Sequence, residues 1–297
     1  MQWAKKCAII YIEKNRERRV FEMEREKSDA MRLTALLLLA IPAQLILSFL
    51  LNLIPSGSIS ANLRNYIIPQ ILYPLLFEVS YLIIAKKIVP DFSPLPPARV
   101  SPKKTVSAAF SFMFAAILTS AVYAKLLDFI KIVKPIKSAA FSTDNVFEAV
   151  LWIIAMAVLP PVLEEAVFRG AILGTMRKYI GRGSILFSAV LFALMHANFN
   201  QIPIAFVMGL LLGWFAYSTD SIIVPIILHA FNNLLSVGYG LLGGFLSEET
   251  LSKVDFSVTA LIFVLGLIFA IFEIIDFSKK IKQEPRISIR WKSKRKR

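Results

Sequence analysis

Glu164, Glu165 and Arg169 place three ionisable side chains within six residues of an apolar run that extends from about residue 146 to 173. An ionisable side chain in the middle of a membrane costs roughly 2.5–3.5 kcal/mol, so it is seldom found there without a partner or a function. Glu165 and Arg169 are four residues apart, in the favoured order for an ion pair on one helix face. Glu164 lies about 100° around the helix and has no such partner. A carboxylate in an apolar pocket is a suitable general base near neutral pH, and we assign that role to Glu164.

Two prolines, Pro160 and Pro161, directly precede this cluster. They remove two backbone donors from the helix, which we expect to free carbonyl groups and to admit water near Glu164. For Glu165 and Arg169 a structural alternative stays open, in which the pair is a clamp that ties helices together.

The two histidines of the chain, His196 and His229, both lie in apolar segments. Phe192 precedes His196 by four residues and Asn233 follows His229 by four, so each pair shares a helix face. A single buried histidine is usually a satisfied core residue. Two histidines with an unpaired glutamate supply what water activation needs, namely a base, a second proton carrier and a donor for the developing oxyanion.

The surrounding sequence predicts a membrane protein, because 57% of its 297 residues are hydrophobic and the apolar runs are continuous rather than alternating. We predict an all-α, polytopic transmembrane helical bundle with about eight spans. The predicted spans are residues 33–55, 66–85, 105–125, 146–174, 184–202, 203–218, 221–243 and 258–276.

Basic residues in the connections predict the orientation. Lys and Arg follow the second span at 86–104 and the fourth span at 177–182, so both connections are assigned to the cytoplasmic side. Both termini are then cytoplasmic. The connection at 125–144 is an exception, because it carries four lysines on the predicted outer side. At about 1.5 Å per residue, the depths of Glu164, His196 and His229 agree with one layer that opens toward the cytoplasm.

The predicted organisation has five parts. These are a charged N-terminal extension (1–32), which forms a helix on the membrane surface or a solvated segment, N-terminal spans (33–144), a catalytic core (145–245), a last span (246–276) and a basic cytoplasmic tail (277–297). The tail holds ten Lys and Arg residues against one acid, Glu284. We therefore interpret the net charge of +14 as an attraction to anionic lipid and predict no nucleic-acid partner. The single cysteine, Cys7, excludes an intrachain disulfide framework.

Three short motifs, in the same order on successive spans, now allow a comparison with a known family. E-E-x-x-x-R at Glu164–Arg169, F-x-x-x-H at Phe192–His196 and H-x-x-x-N at His229–Asn233 resemble the type II CAAX prenyl proteases. The wider family groups CAAX proteases with bacteriocin-processing and immunity proteins, and is also called Abi. The resemblance covers roughly residues 145–245.

The resemblance implies an intramembrane endopeptidase that cuts near the C-terminus of a peptide or protein substrate, which in some relatives carries a prenylated CaaX sequence. By position, it implies that Glu164 activates water, that His196 assists and that His229 and Asn233 form an oxyanion site. Glu165, Arg169 and Phe192 would support them. We favour a mechanism without a metal cofactor, because no H-E-x-x-H is present and asparagine is a poor zinc ligand. If zinc is used, its ligands would be Glu164, His196 and His229.

Three other functions fit parts of the same pattern. A zinc-dependent form of the protease could act in bacteriocin maturation or self-immunity. A proton- or ion-coupled transporter would use the buried glutamates and histidines as a relay. A catalytically silent immunity protein would keep the scaffold without needing the buried polar set. A further acid, Glu78 in the second span, could line the same cavity, and we interpret it as the donor or acceptor of a structural hydrogen bond.

Overall fold

The computed structural model consists of helices and connections, and it describes residues 2–53, 63–90, 92–130, 145–196 and 201–283. This confirms the predicted all-α class. In the described residues the helices are α1 (Gln2–Asn52), α2 (Ile68–Ile88), α3 (Pro102–Ile130), α4 (Val146–Ile180), α5 (Gly183–Met195), α6 (Ile202–Thr219), α7 (Ile223–Leu242) and α8 (Glu248–Gln283). A π-helical turn, Leu63–Ile67, precedes α2.

Seven of these helices are long and apolar enough to cross a membrane, and α5 is the exception with 13 residues. The predicted span at 184–202 was therefore too long. Hydropathy does not detect where the helix ends: at its last turn the His196 N–H bonds the carbonyl of Ala193 at 3.2 Å. Large apolar side chains are exposed on the outer faces of the long helices, for example Leu261 and Phe272 on α8. Such faces are stable against lipid, and the chain is a multi-pass membrane protein.

The charged segment before residue 33 continues into the first span as one helix, α1, without a break. The last turns of this charged segment are attached to the bundle by polar contacts. Asp29 is fully buried and accepts a hydrogen bond from the Tyr179 hydroxyl of α4 at 2.9 Å. Arg32 donates to the carbonyl of Ile88 at the end of α2, at 3.0 Å. The basic tail lies largely outside the described residues, which end at 283, and the lysine-rich connection lies outside them from residue 131 onward.

Helix α4 is irregular in the region that carries the candidate site. It begins where the Asn145 side chain accepts from the Phe147 N–H at 2.9 Å, and it is interrupted by π-helical turns at Ile153–Val158 and Ala166–Leu173. Pro160 and Pro161 lie between these turns. π-Helical turns occur frequently at functional sites because they leave local backbone groups free of the regular pattern.

An extended segment, residues 92–101, contacts α4 and the start of α7; we call it the strap. The N–H of Leu95 bonds the carbonyl of Gly170 at 3.0 Å, and the Ser221 hydroxyl donates to the carbonyl of Ala98 at 2.6 Å. Leu95 is buried. The strap therefore positions the second half of α4 against the start of α7.

Helices α5 and α6 approach each other closely at two glycines, because small residues let the backbones of membrane helices come together. A Cβ on Gly209 would lie 3.1 Å from the Cα of Ala189, and one on Gly213 would lie 3.1 Å from Ile185. This contact brings the backbone of Gly209 close to α4, where its carbonyl takes part in the candidate site.

Candidate active site

A cavity of about 300 Å³ lies inside the bundle, and most of the predicted site residues line it. One wall comes from α4, α5 and α7, which contribute Glu164, Phe192, His196, His229 and Asn233. A second wall comes from α1 and α2. Three segments that are separate in the sequence therefore meet around one space.

Glu165 and Arg169 lie behind this wall and are fully buried. Arg169 Nη1 contacts Glu165 Oε1 at 2.7 Å, as the i, i+4 spacing predicted. A buried carboxylate and guanidinium are stable only when they are paired, because each loses its hydration on burial. The pair is therefore neutral as a unit.

Arg169 also connects α4 to two other helices. Its Nη2 donates to the carbonyl of Gly209 on α6 at 3.2 Å, and its Cζ lies 4.4 Å from the centre of the Phe192 ring on α5. A guanidinium over an aromatic face is a favourable cation–π arrangement. The clamp that was considered as a structural alternative thus exists, and it directly supports the cavity wall.

His229 lies between the two glutamates. Its Nδ1 is 2.9 Å from Glu165 Oε1, and its Nε2 is 3.8 Å from Glu164 Oε2, which is beyond hydrogen-bond distance. Because a carboxylate accepts hydrogen bonds, Nδ1 carries a proton in this contact. Glu165 therefore orients the ring, and Nε2 is the ring atom that is available to a substrate in the cavity.

His196 is held in a similar way by its own helix. Its Nδ1 lies 2.9 Å from the carbonyl oxygen of Phe192. A carbonyl can only accept, so Nδ1 carries the proton and the neutral ring has a lone pair at Nε2. The F-x-x-x-H spacing thereby fixes a tautomer that can accept a proton.

Phe192 packs against both histidine rings. Its ring centre is 4.8 Å from that of His196 and 5.9 Å from that of His229, both in edge-to-face geometry. Phe168 packs on it in the same way at 5.1 Å. The phenylalanine of the motif is thus a buried support that sets the separation of the two imidazoles.

Asn233 compensates for a carbonyl that the prolines leave without a helical donor. The carbonyl of Met156 would bond the N–H of residue 160 in an α-helix or 161 in a π-helix, and both are prolines. Asn233 Nδ2 instead donates to Met156 at 2.9 Å. The amide oxygen of Asn233 accepts from Asn232 Nδ2 at 3.3 Å, and the side chain lines the cavity.

The second wall contains polar side chains that the motifs did not indicate, namely Gln44 from α1 and Gln70 and Tyr73 from α2. The available signal was the presence of polar residues inside apolar spans. Glu78 lies on the same wall, and its Oε2 has no hydrogen-bond partner in the part of the chain that is described. The structural hydrogen bond that we expected for Glu78 is absent at that atom.

The residues present do not fit a zinc site. Within the described ranges, no group of three or more His, Cys, Asp or Glu side chains is arranged to hold a metal ion. The Nδ1 atoms of His196 and His229 are engaged with a carbonyl and with Glu165, which leaves Nε2 of each ring toward the cavity.

Comparison with known proteins finds a family whose sequence pattern matches the region of this site. The model of the type II CAAX prenyl endopeptidase Rce1-like family matches residues 146–235. Over these residues the chain is similar to the type II CAAX prenyl endopeptidases. The match contains all seven predicted site residues, whereas the CAAX endopeptidase match does not include α1 and α2.

A curated relative supports the same assignment. The chain is 33% identical over 110 residues to the membrane-embedded CAAX protease MroQ of Staphylococcus aureus (strain USA300), which covers 35% of this chain and 43% of that protein. The chain thus matches less than half the length of this CAAX protease. No solved structure matches the chain.

Proposed function

We propose that this protein is an intramembrane endopeptidase that hydrolyses a peptide bond near the C-terminus of a membrane-associated peptide or protein. The observation that carries the proposal is the common cavity of Glu164, His196, His229 and Asn233 inside the bundle. The match of residues 146–235 to an endopeptidase family supports the reaction class.

The first step is activation of water by Glu164 with the assistance of His196. Of the two adjacent glutamates, Glu164 is partly exposed, at 22% of its side-chain surface, whereas Glu165 is fully buried. The neutral His196 ring offers its Nε2 lone pair as a second acceptor. The water oxygen attacks the scissile carbonyl carbon as its proton passes to Glu164.

The second group of residues stabilises the oxyanion that this attack produces. In the proposed role the His229 ring carries both protons, with Nδ1–H on Glu165 and Nε2–H on the oxyanion. Asn233 donates its remaining N–H. Donors that are fixed before the reaction stabilise developing charge without reorganising, and one such donor contributes about 10²–10³ in kcat.

In the last step the C–N bond breaks and the leaving nitrogen takes the proton that Glu164 received from water. The products are one new carboxylic acid and one new amine, which exchange the second proton of water to become a carboxylate and an ammonium group, so no oxidant or co-substrate is required. Glu165 and Arg169 do not touch the reacting atoms in this scheme, and they act by positioning His229 and Phe192.

The test is cleavage of farnesylated and unmodified CaaX peptides by the purified protein in detergent. We expect Glu164→Ala and His196→Ala each to lower kcat by about 10²–10⁴, which is the usual contribution of a general acid or base. Glu148→Ala is the control, because Glu148 is a buried carboxylate of the same helix that does not line the cavity. Full activity of Glu164→Ala, or no cleavage by folded wild-type protein, would contradict the proposal.

A further inference from the structure

We propose that Glu78 binds a lysine or arginine side chain of the peptide substrate. This inference rests on the proposed endopeptidase function and adds a substrate class to it. Glu78 belongs to α2, outside the segment that matches the CAAX family.

The first argument is the state of the carboxyl group itself. Glu78 is 8% exposed and lies in the middle of a membrane-spanning helix, at the end of the π-helical turn Pro74–Glu78. Its Oε2 has no hydrogen-bond partner among the described residues. A buried oxygen without a partner is unfavourable in the folded protein, so a ligand that supplies a donor gains the full benefit of pairing with it.

The second argument is the charge of the cavity. Its lining within the described ranges includes two carboxylates, Glu78 and Glu164, and no lysine or arginine. The nearest buried guanidinium, Arg169, does not line the cavity and is occupied by Glu165 and Gly209. The space therefore has an acceptor for a cation and no protein cation to fill it.

The third argument is the division of the cavity into two walls. Glu164, His196, His229 and Asn233 form one wall, and Glu78 lies on the other with Gln44, Gln70 and Tyr73. Amide and phenol oxygens accept the remaining hydrogen bonds of an ammonium or guanidinium group. A peptide whose scissile bond lies at the first wall would present a neighbouring side chain to the second.

Three synthetic peptides test this inference. They share one apolar, fluorescently labelled sequence and carry lysine, norleucine or glutamate at one position, which is moved along the sequence in successive sets. We expect wild-type protein to cleave the best lysine peptide with a kcat/KM roughly tenfold above that of its norleucine counterpart, the size of a hydrogen bond to a charged group. The glutamate peptide should be the poorest substrate.

Two variants and a control connect the preference to Glu78. Glu78→Gln should remove the preference for lysine while cleavage of the norleucine peptide continues. Glu78→Lys should reverse it in favour of the glutamate peptide, a gain that misfolding cannot produce. Glu148→Gln, at 9% exposure and outside the cavity, should keep the wild-type order. A lysine preference that survives Glu78→Gln would overturn the inference.

Binding separates this inference from the proposed function. The same peptides are titrated by fluorescence anisotropy into His196→Ala protein with and without Glu78→Gln. Tighter binding of the lysine peptide that depends on Glu78 supports the inference even if no peptide is cut, a result that would contradict the protease proposal alone. Equal binding of all three peptides would overturn the inference even if Glu164-dependent cleavage is found.

Discussion

The side-chain amide of Asn233 donates a hydrogen bond to the carbonyl of Met156 at 2.9 Å, and so replaces a backbone donor that Pro160 and Pro161 cannot supply. The contact joins α7 to α4 at the edge of the cavity. A carbonyl that the prolines leave unpaired in α4 is thus paired by a motif residue of α7.

This relationship predicts that Pro160→Ala and Asn233→Ala are energetically coupled. Pro160→Ala restores an N–H near Met156, so Asn233→Ala should destabilise the protein less in that background. We expect a coupling of about 0.6 kcal/mol and at most about 1.7, the range for hydrogen bonds between membrane helices. A double-mutant cycle of unfolding free energies measures it. Leu234→Ala, an exposed side chain next to Asn233, is the control and should show no coupling to Pro160.

Glu165→Gln should destabilise the protein strongly, because it leaves Arg169 buried without its carboxylate. Breaking a buried pair in this way costs about 3–5 kcal/mol. The matched comparison is Glu249 with Lys253, also four residues apart and at 2.7 Å, but exposed. Glu249→Gln should change the unfolding free energy by less than about 1 kcal/mol. Equal effects of the two substitutions in thermal unfolding would show that burial of the Glu165 pair is not what matters.

Strong chelators should leave cleavage unchanged. Within the described residues, the His, Asp and Glu side chains form no group of three that could hold a metal ion. The measurement is the rate of peptide cleavage before and after chelation, with re-addition of Zn²⁺. Activity that is lost with chelator and restored by zinc would refute the metal-free mechanism.

Gly174→Ala should displace the strap from α4. The new Cβ would lie 2.5 Å from the Leu95 nitrogen and 2.9 Å from the carbonyl carbon of Pro94. Such an overlap with backbone costs about 1–3 kcal/mol. Gly238→Ala is the control, because nothing lies within 4 Å of its Cβ position. Thermal unfolding should show a lower midpoint for the first variant and an unchanged or slightly higher one for the second.

We propose that both termini and the opening of the cavity face the cytoplasm, and the single cysteine provides a test. A membrane-impermeant maleimide should label Cys7 only after spheroplasts expressing the protein are permeabilised. In a Cys7→Ser background, Ser247→Cys between α7 and α8 should be labelled in intact spheroplasts. The reverse pattern would invert the proposed topology.

Sequence by itself determined the membrane class and the contacts within single helices. Continuous apolar runs identified the long spans, since a bilayer excludes unpaired backbone groups and therefore imposes helices. The spacing of Glu165 and Arg169 predicted their ion pair, because residues four apart lie on one face whatever the tertiary fold. The two prolines predicted a freed carbonyl for the same local reason.

Only the tertiary structure decided which of these residues contact one another across different helices. His229 reaches Glu165 across 64 positions, and Asn233 reaches Met156 across 77. Such pairs depend on how the helices rotate and cross. Small residues such as Gly209, together with the strap, control this packing, and the local spacing of residues does not encode it. Glu78 illustrates the same limit: its position in an apolar span was evident, but whether its carboxyl group found a partner depended on the helices packed around it.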